Sequence, residues 1–155
     1  MFLSDTFRVL DRHECLRLLA GVSVGRVVYT RQALPAVLPV NFWLDADASS
    51  VVLRSSAESD LVRAVDGFVV AFEADEFSAA ERSGWSVVVT GRAAVVGDPE
   101  ERERLAGGGP GSWMPLRDAV VVRIETTMVT GRQLRGGPEG PGERDAAGGG
   151  GAPGA

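Results

Sequence analysis

The sequence predicts a mainly β fold: about six antiparallel strands closed into a barrel, with two or three short helices. Three observations carry this. Gly84–Val96 is the longest run of strand-favouring residues, and β-branched and aromatic side chains fit a pleated, half-buried surface. It is much longer than the usual strand of about five or six residues, so it must bend, and Gly91 is the natural bend point. The tetrapeptide Val89-Thr90-Gly91-Arg92 returns at Val129-Thr130-Gly131-Arg132, as if two long strands were neighbours on one curved sheet. Finally, the strands follow one another with few crossover helices, which favours antiparallel pairing, and closure removes the sheet's edges.

The elements follow in order. Asp11-Arg12-His13-Glu14 has the form of a capping box and opens a short amphipathic helix over 11–20, ended by Gly21. Val22–Thr30 reads as a strand, and Pro35–Leu44 as a second. Proline cannot donate to a ladder, so Pro39 must lie at an edge, a bulge or an opening of the barrel. Asp45–Ser49 is a hairpin loop and Ser50–Ser55 a third strand. Hydroxyls and Glu58 before Leu61, Val62 and Val65 start a helix near Ser56–Ser59 that ends by Gly67. Phe68–Glu73 is a strand and Ala74–Ser83 a polar loop. After the long strand, Asp98-Pro99 opens another helix, because Asp is a good cap and Pro suits the first turn. Residues 119–134 hold the last strand or pair of strands.

The length of 155 residues favours one domain, placed at 1–134. Residues 135–155 are almost all Gly, Pro, Ala and charge, and read as a disordered tail. A net charge of −5 and a pI near 4.9 argue against nucleic-acid binding. No apolar run approaches the roughly eighteen residues of a membrane span. A single cysteine, Cys15, and no signal-peptide pattern at the start point to the cytoplasm. All sixteen basic residues are arginine, so an anion must be held by guanidinium, backbone N–H or hydroxyl groups.

Enzyme signatures built on side chains are absent. His13, the one histidine, reads as a solvated helix residue, and with no second histidine and a single cysteine in the chain no metal site is expected. Glu73, Asp75 and Glu76 read as a solvated cluster. No glycine-rich phosphate loop or nucleophile elbow occurs. Three candidates remain. Arg54, Ser55, Ser56 and Ser59 run from a strand end into a helix start, a natural cradle for a small anion. Trp85 offers either core packing or a wall for a flat heteroaromatic ring. Pro39, Val40 and Asn41 lie on a strand interrupted by proline, whose unpaired backbone groups suit a ring with hydrogen-bonding edges.

These residues carry a resemblance. The chain resembles the pyridoxamine 5′-phosphate oxidase-like proteins, the flavin split-barrel superfamily, and within it the small bacterial flavin-nucleotide-binding branch. Over about residues 10–134 the matching stretches are Glu14–Leu19, Val24–Val27, Pro39–Phe42, Arg54–Ser56 with Ser59, Val70–Asp75, Gly84–Arg92 and Val129–Arg132. The resemblance implies a six-stranded antiparallel Greek-key split β-barrel that forms a homodimer. It implies FMN, or in some relatives the deazaflavin F420, in the groove between subunits. Pro39, Val40 and Asn41 would then line the ring. Arg54, Ser55, Ser56 and Ser59 would hold the phosphate, and Trp85 and Ser86 would approach the flavin. Asp60 stands where the branch commonly has a phosphate-pairing lysine, so a phosphate fits only if Asp60 points away or pairs with Arg54 or Arg63. The implied function is a flavin-dependent oxidoreductase, with a flavin store or a barrel that has lost its cofactor as alternatives.

Overall fold

The computed structural model describes residues 7–111, 113, 116 and 118–136. The expected tail, from 137 onward, lies outside the described residues. The elements run β1 (Phe7–Leu10), α1 (Arg12–Leu19), β2 (Val24–Arg31), β3 (Leu34–Asn41), β4 (Trp43–Leu44), β5 (Ser50–Ser56), α2 (Asp60–Val65), β6 (Val69–Ser78), β7 (Ser83–Val95), α3 (Pro99–Ala106), β8 (Ala119–Glu125) and β9 (Met128–Leu134). Among the described residues no helix is long and apolar enough to cross a membrane.

The fold is mainly β, an antiparallel sheet that curls into a half-barrel. Its strands run in the order β3-β2-β6-β7-β8-β5-β4, with β9 added beside β7 and β1 beside β9. The two ends of this path, β3 and β4, are separated in sequence only by Phe42. A flat sheet cannot place its two edges one residue apart, so the chain's own connectivity forces the curl. Phe42 is buried where the edges meet, edge-on to Phe72 with 4.6 Å between ring centroids.

β7 is the hinge of this sheet. Alternation along it turns Trp85, Val87, Val89 and Ala93 into the core and Ser86, Val88 and Arg92 away from it. Up to Thr90 its free side pairs with β9, and from Ala93 with β8. Gly91 lies at the handover, where a Cβ would stand 1.7 Å from the carbonyl oxygen of Glu125. The two Val-Thr-Gly-Arg copies meet across this pairing, with Val89 opposite Val129.

The strand count is nine among the described residues, not six. The long second strand divides because the Phe42 N–H turns back to the carbonyl of Ser23 at 3.1 Å, while Trp43 and Leu44 pair with β5. The final segment divides into β8 and β9. Phe7–Leu10 adds a short strand held by β9. The supposed loop at Ala74–Ser78 is ladder, with Asp75 opposite Ser86 and Phe77 opposite Gly84. Asp75 shares the outward face of Ser86, while Glu76, on the alternate phase with Ala74 and Trp85, is exposed near the strand end.

The helices behave as their caps predict. Asp11 and Glu14 form the reciprocal capping box of α1, Ser59 caps α2, and Asp98 caps α3 ahead of Pro99. The main core runs through Leu19, Val27, Phe42, Val51, Leu53, Phe72, Val87, Val89 and Ile124. A second cluster of Val52, Val96, Leu105 and Val121, with Trp43 against it, seats α3 on the outer side of β5 and β8.

Gly91→Ala should lower stability by about 1–3 kcal/mol, because the added methyl collides with backbone rather than with a movable side chain. Urea unfolding midpoints with an unchanged slope would show it.

Candidate functional site

The first feature of the site is the edge at β3. Hydrogen-bonded pairs alternate along an antiparallel ladder. Since Phe42 donates to Ser23, the register makes Val40, Leu38 and Ala36 face β2 with their backbone groups. Pro35, Val37, Pro39 and Asn41 turn theirs outward. Both prolines therefore fall on the phase that loses no ladder bond, and they bar another strand from docking there. Leu34, Val37 and Leu38 nonetheless stay exposed.

A groove of about 200 Å³ opens between this edge and the sheet's other end. Leu38, Pro39, Val40 and Asn41 form one wall, Trp43, Arg54 and Ser55 the other, and Leu61 of α2 and Pro110 after α3 contribute to the rim. Five of the nine residues singled out in the sequence, Pro39, Val40, Asn41, Arg54 and Ser55, thus share one concavity. Ser59 adjoins it: its hydroxyl lies 2.9 Å from the Ser55 hydroxyl and accepts from the Val62 N–H at 3.2 Å. Ser56 ends β5 opposite Ala119, and its carbonyl accepts from the Ser59 N–H. Trp85 packs its ring into the core. Ser86 lies on the outer face, in a separate cavity of about 230 Å³ with Phe7, Val9, Val88, Thr130 and Arg132. Neither joins the groove of its own chain.

Arg54 donates to the carbonyl of Pro110 at 2.6 Å and to that of Ala106 at 2.5 Å, and its guanidinium lies over the Trp43 ring, 4.7 Å from the centroid. The Trp43 indole N–H donates to the Leu105 carbonyl at 3.2 Å. Asn41 accepts from the Trp113 N–H at 3.2 Å through its side-chain oxygen. Sequence reasoning missed Trp43 and Pro110, which carry no periodic signal and meet Arg54 only in three dimensions.

Asp60 pairs with Arg31 at 2.9 Å, not with Arg54 or Arg63. Both groups are about half exposed, so the pair adds little stability, but it does neutralise the carboxylate beside the start of α2. Away from the groove, burial and the neighbouring Asp75 push the Glu73 carboxyl above its usual range, with Arg26 opposing at 3.1 Å. His13 is exposed on α1. Burial raises the Cys15 thiol, which makes it a packing residue. No group of three or more potential metal ligands occurs among the described residues.

The model of the family described as pyridoxamine 5′-phosphate oxidase matches residues 11–133. The chain belongs to this family. Over 139 residues, 81% of the chain, it is 45% identical to the uncharacterized protein Rv0080 of Mycobacterium tuberculosis, covering 84% of that protein. Among solved structures, an FAD-binding protein from Mycobacterium smegmatis superposes with a TM-score of 0.74 at 32% identity, covering 84% of this chain and all of that one (100%). The conserved protein DIP1874 of Corynebacterium diphtheriae, of unknown function, gives a TM-score of 0.71 at 36% identity over 84% of this chain and 99% of that one. Family membership fixes the fold around the groove. The groove's chemistry rests on the residues described above.

The wall carrying Trp43 and Arg54 depends on how α3 is held. Arg104 grips both oxygens of Asp45 at 3.0 and 3.2 Å, and those hydrogen bonds hold the Asp45 carboxyl below the usual carboxylate range. A lowered native value means the pair stabilises the fold fully above the unfolded pKa. That contribution is lost as pH falls through the native value. Asp45→Asn should therefore lower stability by about 1 kcal/mol near pH 7 and flatten the acid limb of a stability–pH profile.

Proposed function

We propose that this protein binds a flavin nucleotide in the β3–β5 groove, at the junction of two copies, and acts as a flavin-dependent oxidoreductase. The observation that carries this reading is the β3 edge. It offers outward backbone groups that no strand can pair with, between apolar walls, with the Ser55 and Ser59 hydroxyls at one end. A flat ring with hydrogen-bonding edges answers all three features. The FAD bound by the M. smegmatis protein, alike over its whole length, supports a flavin.

The fit favours a shared site. The groove's 200 Å³ falls below the roughly 300–1,000 Å³ usual for small-molecule pockets, so one chain supplies only part of the walls. Exposed Leu34, Val37 and Leu38 on β3, of which Leu38 lines the groove, suit burial against a second copy. Pro39, Val40 and Asn41 then line the ring, and Ser55, Ser56 and Ser59 face the phosphate, with Arg54 in the wall beside them. In this reading Ser86, on the outer face, would complete the groove of the partner copy. FMN, FAD and F420 share the flat ring system and the phosphate. FMN follows from the family resemblance, and the M. smegmatis protein favours FAD. No acid or base lines the groove among the described residues, so bound flavin would supply the redox chemistry while the chain binds and orients it.

Titrating FMN, FAD and F420 into the purified protein, with flavin fluorescence and sedimentation as readouts, should show saturable binding of at least one of them, one per chain, to a dimer. No binding of any overturns the proposal. Bleaching of the bound flavin by a reduced nicotinamide supports an oxidoreductase, whereas binding with no reduction by any donor leaves a flavin store.

Asp60→Asn should free Arg31 and strengthen FMN binding by about 0.5–1 kcal/mol, while riboflavin, which lacks the phosphate, binds as before. An equal change for both ligands would place the phosphate elsewhere.

A further inference from the structure

We propose that Arg54 is a positioning residue: it latches the turn after α3, Gly107–Gly111, against the groove and sets how fast a ligand leaves, and it does not itself hold the ligand's phosphate. The ligand in this inference rests on the flavin reading above, but the latch does not. Arg54 donates to Ala106 and Pro110, one at each end of the turn. It lies on Trp43, which independently holds Leu105 through its indole N–H. Between those fixed ends Gly109 packs on the indole, where a Cβ would come within 2.1 Å of the ring. A strand end, an indole and a helix end are thereby tied at one point.

The turn divides two cavities. Trp43 and Pro110 line both the groove and a neighbouring cavity of about 390 Å³, formed with the α1–β2 turn at Gly21–Ser23. With the latch released, the partition between them loses its anchors, and the groove opens on that side.

The electrostatics argue the same way. The last carbonyls of a helix carry its partial negative charge, and a guanidinium there is well placed. The Arg54 charge is answered by the C-terminal end of α3. A phosphate brought to the same guanidinium would face those carbonyls at close range. The hydroxyls of Ser55 and Ser59 lie on the opposite side of this balance, bonded to one another rather than to carbonyls at a helix end.

The test uses Arg54→Lys, which keeps the charge but loses the fork, and Arg54→Gln, each checked for an unaltered unfolding slope. Hydrogen exchange of the amides in Gly107–Gly111, with no ligand added, should quicken at least about tenfold in both variants. FMN and riboflavin should both dissociate about tenfold faster with association rates little changed, and the salt dependence of FMN binding should stay as in the parent protein. Unchanged exchange in the turn overturns the latch, whether or not a flavin binds. Quickened exchange in a protein that binds no flavin sustains the latch and sinks only the function proposed above. If Arg54→Gln weakens FMN but spares riboflavin, Arg54 is a phosphate ligand and the proposal fails.

Discussion

The contact on which the rest of the structure depends is the approach of the Glu125 carbonyl to Gly91. It occurs where β7 changes partner from β9 to β8. Before that point β7 belongs to the face carrying β2, β3 and β6. After it, β7 belongs to the face carrying β5 and β4. One strand thus serves both halves of the half-barrel, and the curl between them brings the β3 edge opposite Arg54 and Ser55. Any side chain at position 91 would have to push β8 away, and the groove is assembled across that bend.

The bend was legible in the sequence, and its physical basis explains why. A glycine in a long β-branched run has few other reasons to be there. The three helices among the described residues were legible from their caps, because a capping residue is a local interaction written in adjacent positions. The strand count was not. The division at Phe42 depends on one residue donating back to Ser23 while its neighbours pair with β5, a choice made by tertiary packing. The ladder at Ala74–Ser78 was hidden for the opposite reason: the adjacent charges Asp75 and Glu76 look like a loop, but they fall on opposite faces of one strand.

The groove shows the same division. Pro39, Val40 and Asn41 announced themselves because proline on a strand demands an explanation, and the ladder phase supplies it: Pro35 and Pro39 both lie where no hydrogen bond is lost. Arg54 and Ser55 stood out as a cation and a hydroxyl at a strand end. What they touch was invisible in one dimension. Trp43 and Pro110 lie eleven residues before and fifty-six after Arg54, and only the seating of α3 on Val52 and Val121 brings them together.

The chain has no lysine, so arginine makes all the ion pairs among the described residues. Arg8 pairs with Glu14, Arg26 with Glu73, Arg31 with Asp60, and Arg104 and Arg123 with Glu101. Arg54 and Arg92 are bonded to carbonyls, of Ala106 and Pro110 and of Gly67. Forked guanidinium groups suit such work, since their donors match planar acceptors in fixed directions. Among the described residues, the one cation lining the groove, Arg54, is thus already engaged by carbonyls. For the flavin nucleotide proposed above, the hold would then rest on the Ser55 and Ser59 hydroxyls and on the ring's fit to the β3 edge. Binding of that kind ranks ligands by the shape and hydrogen-bonding edge of the ring, and distinguishes weakly among tails attached to the same ring. In the proposed reading the β3 edge is where the ligand's identity would be read, and the strand-to-helix turn at Ser55–Ser59 would steady what the edge selects.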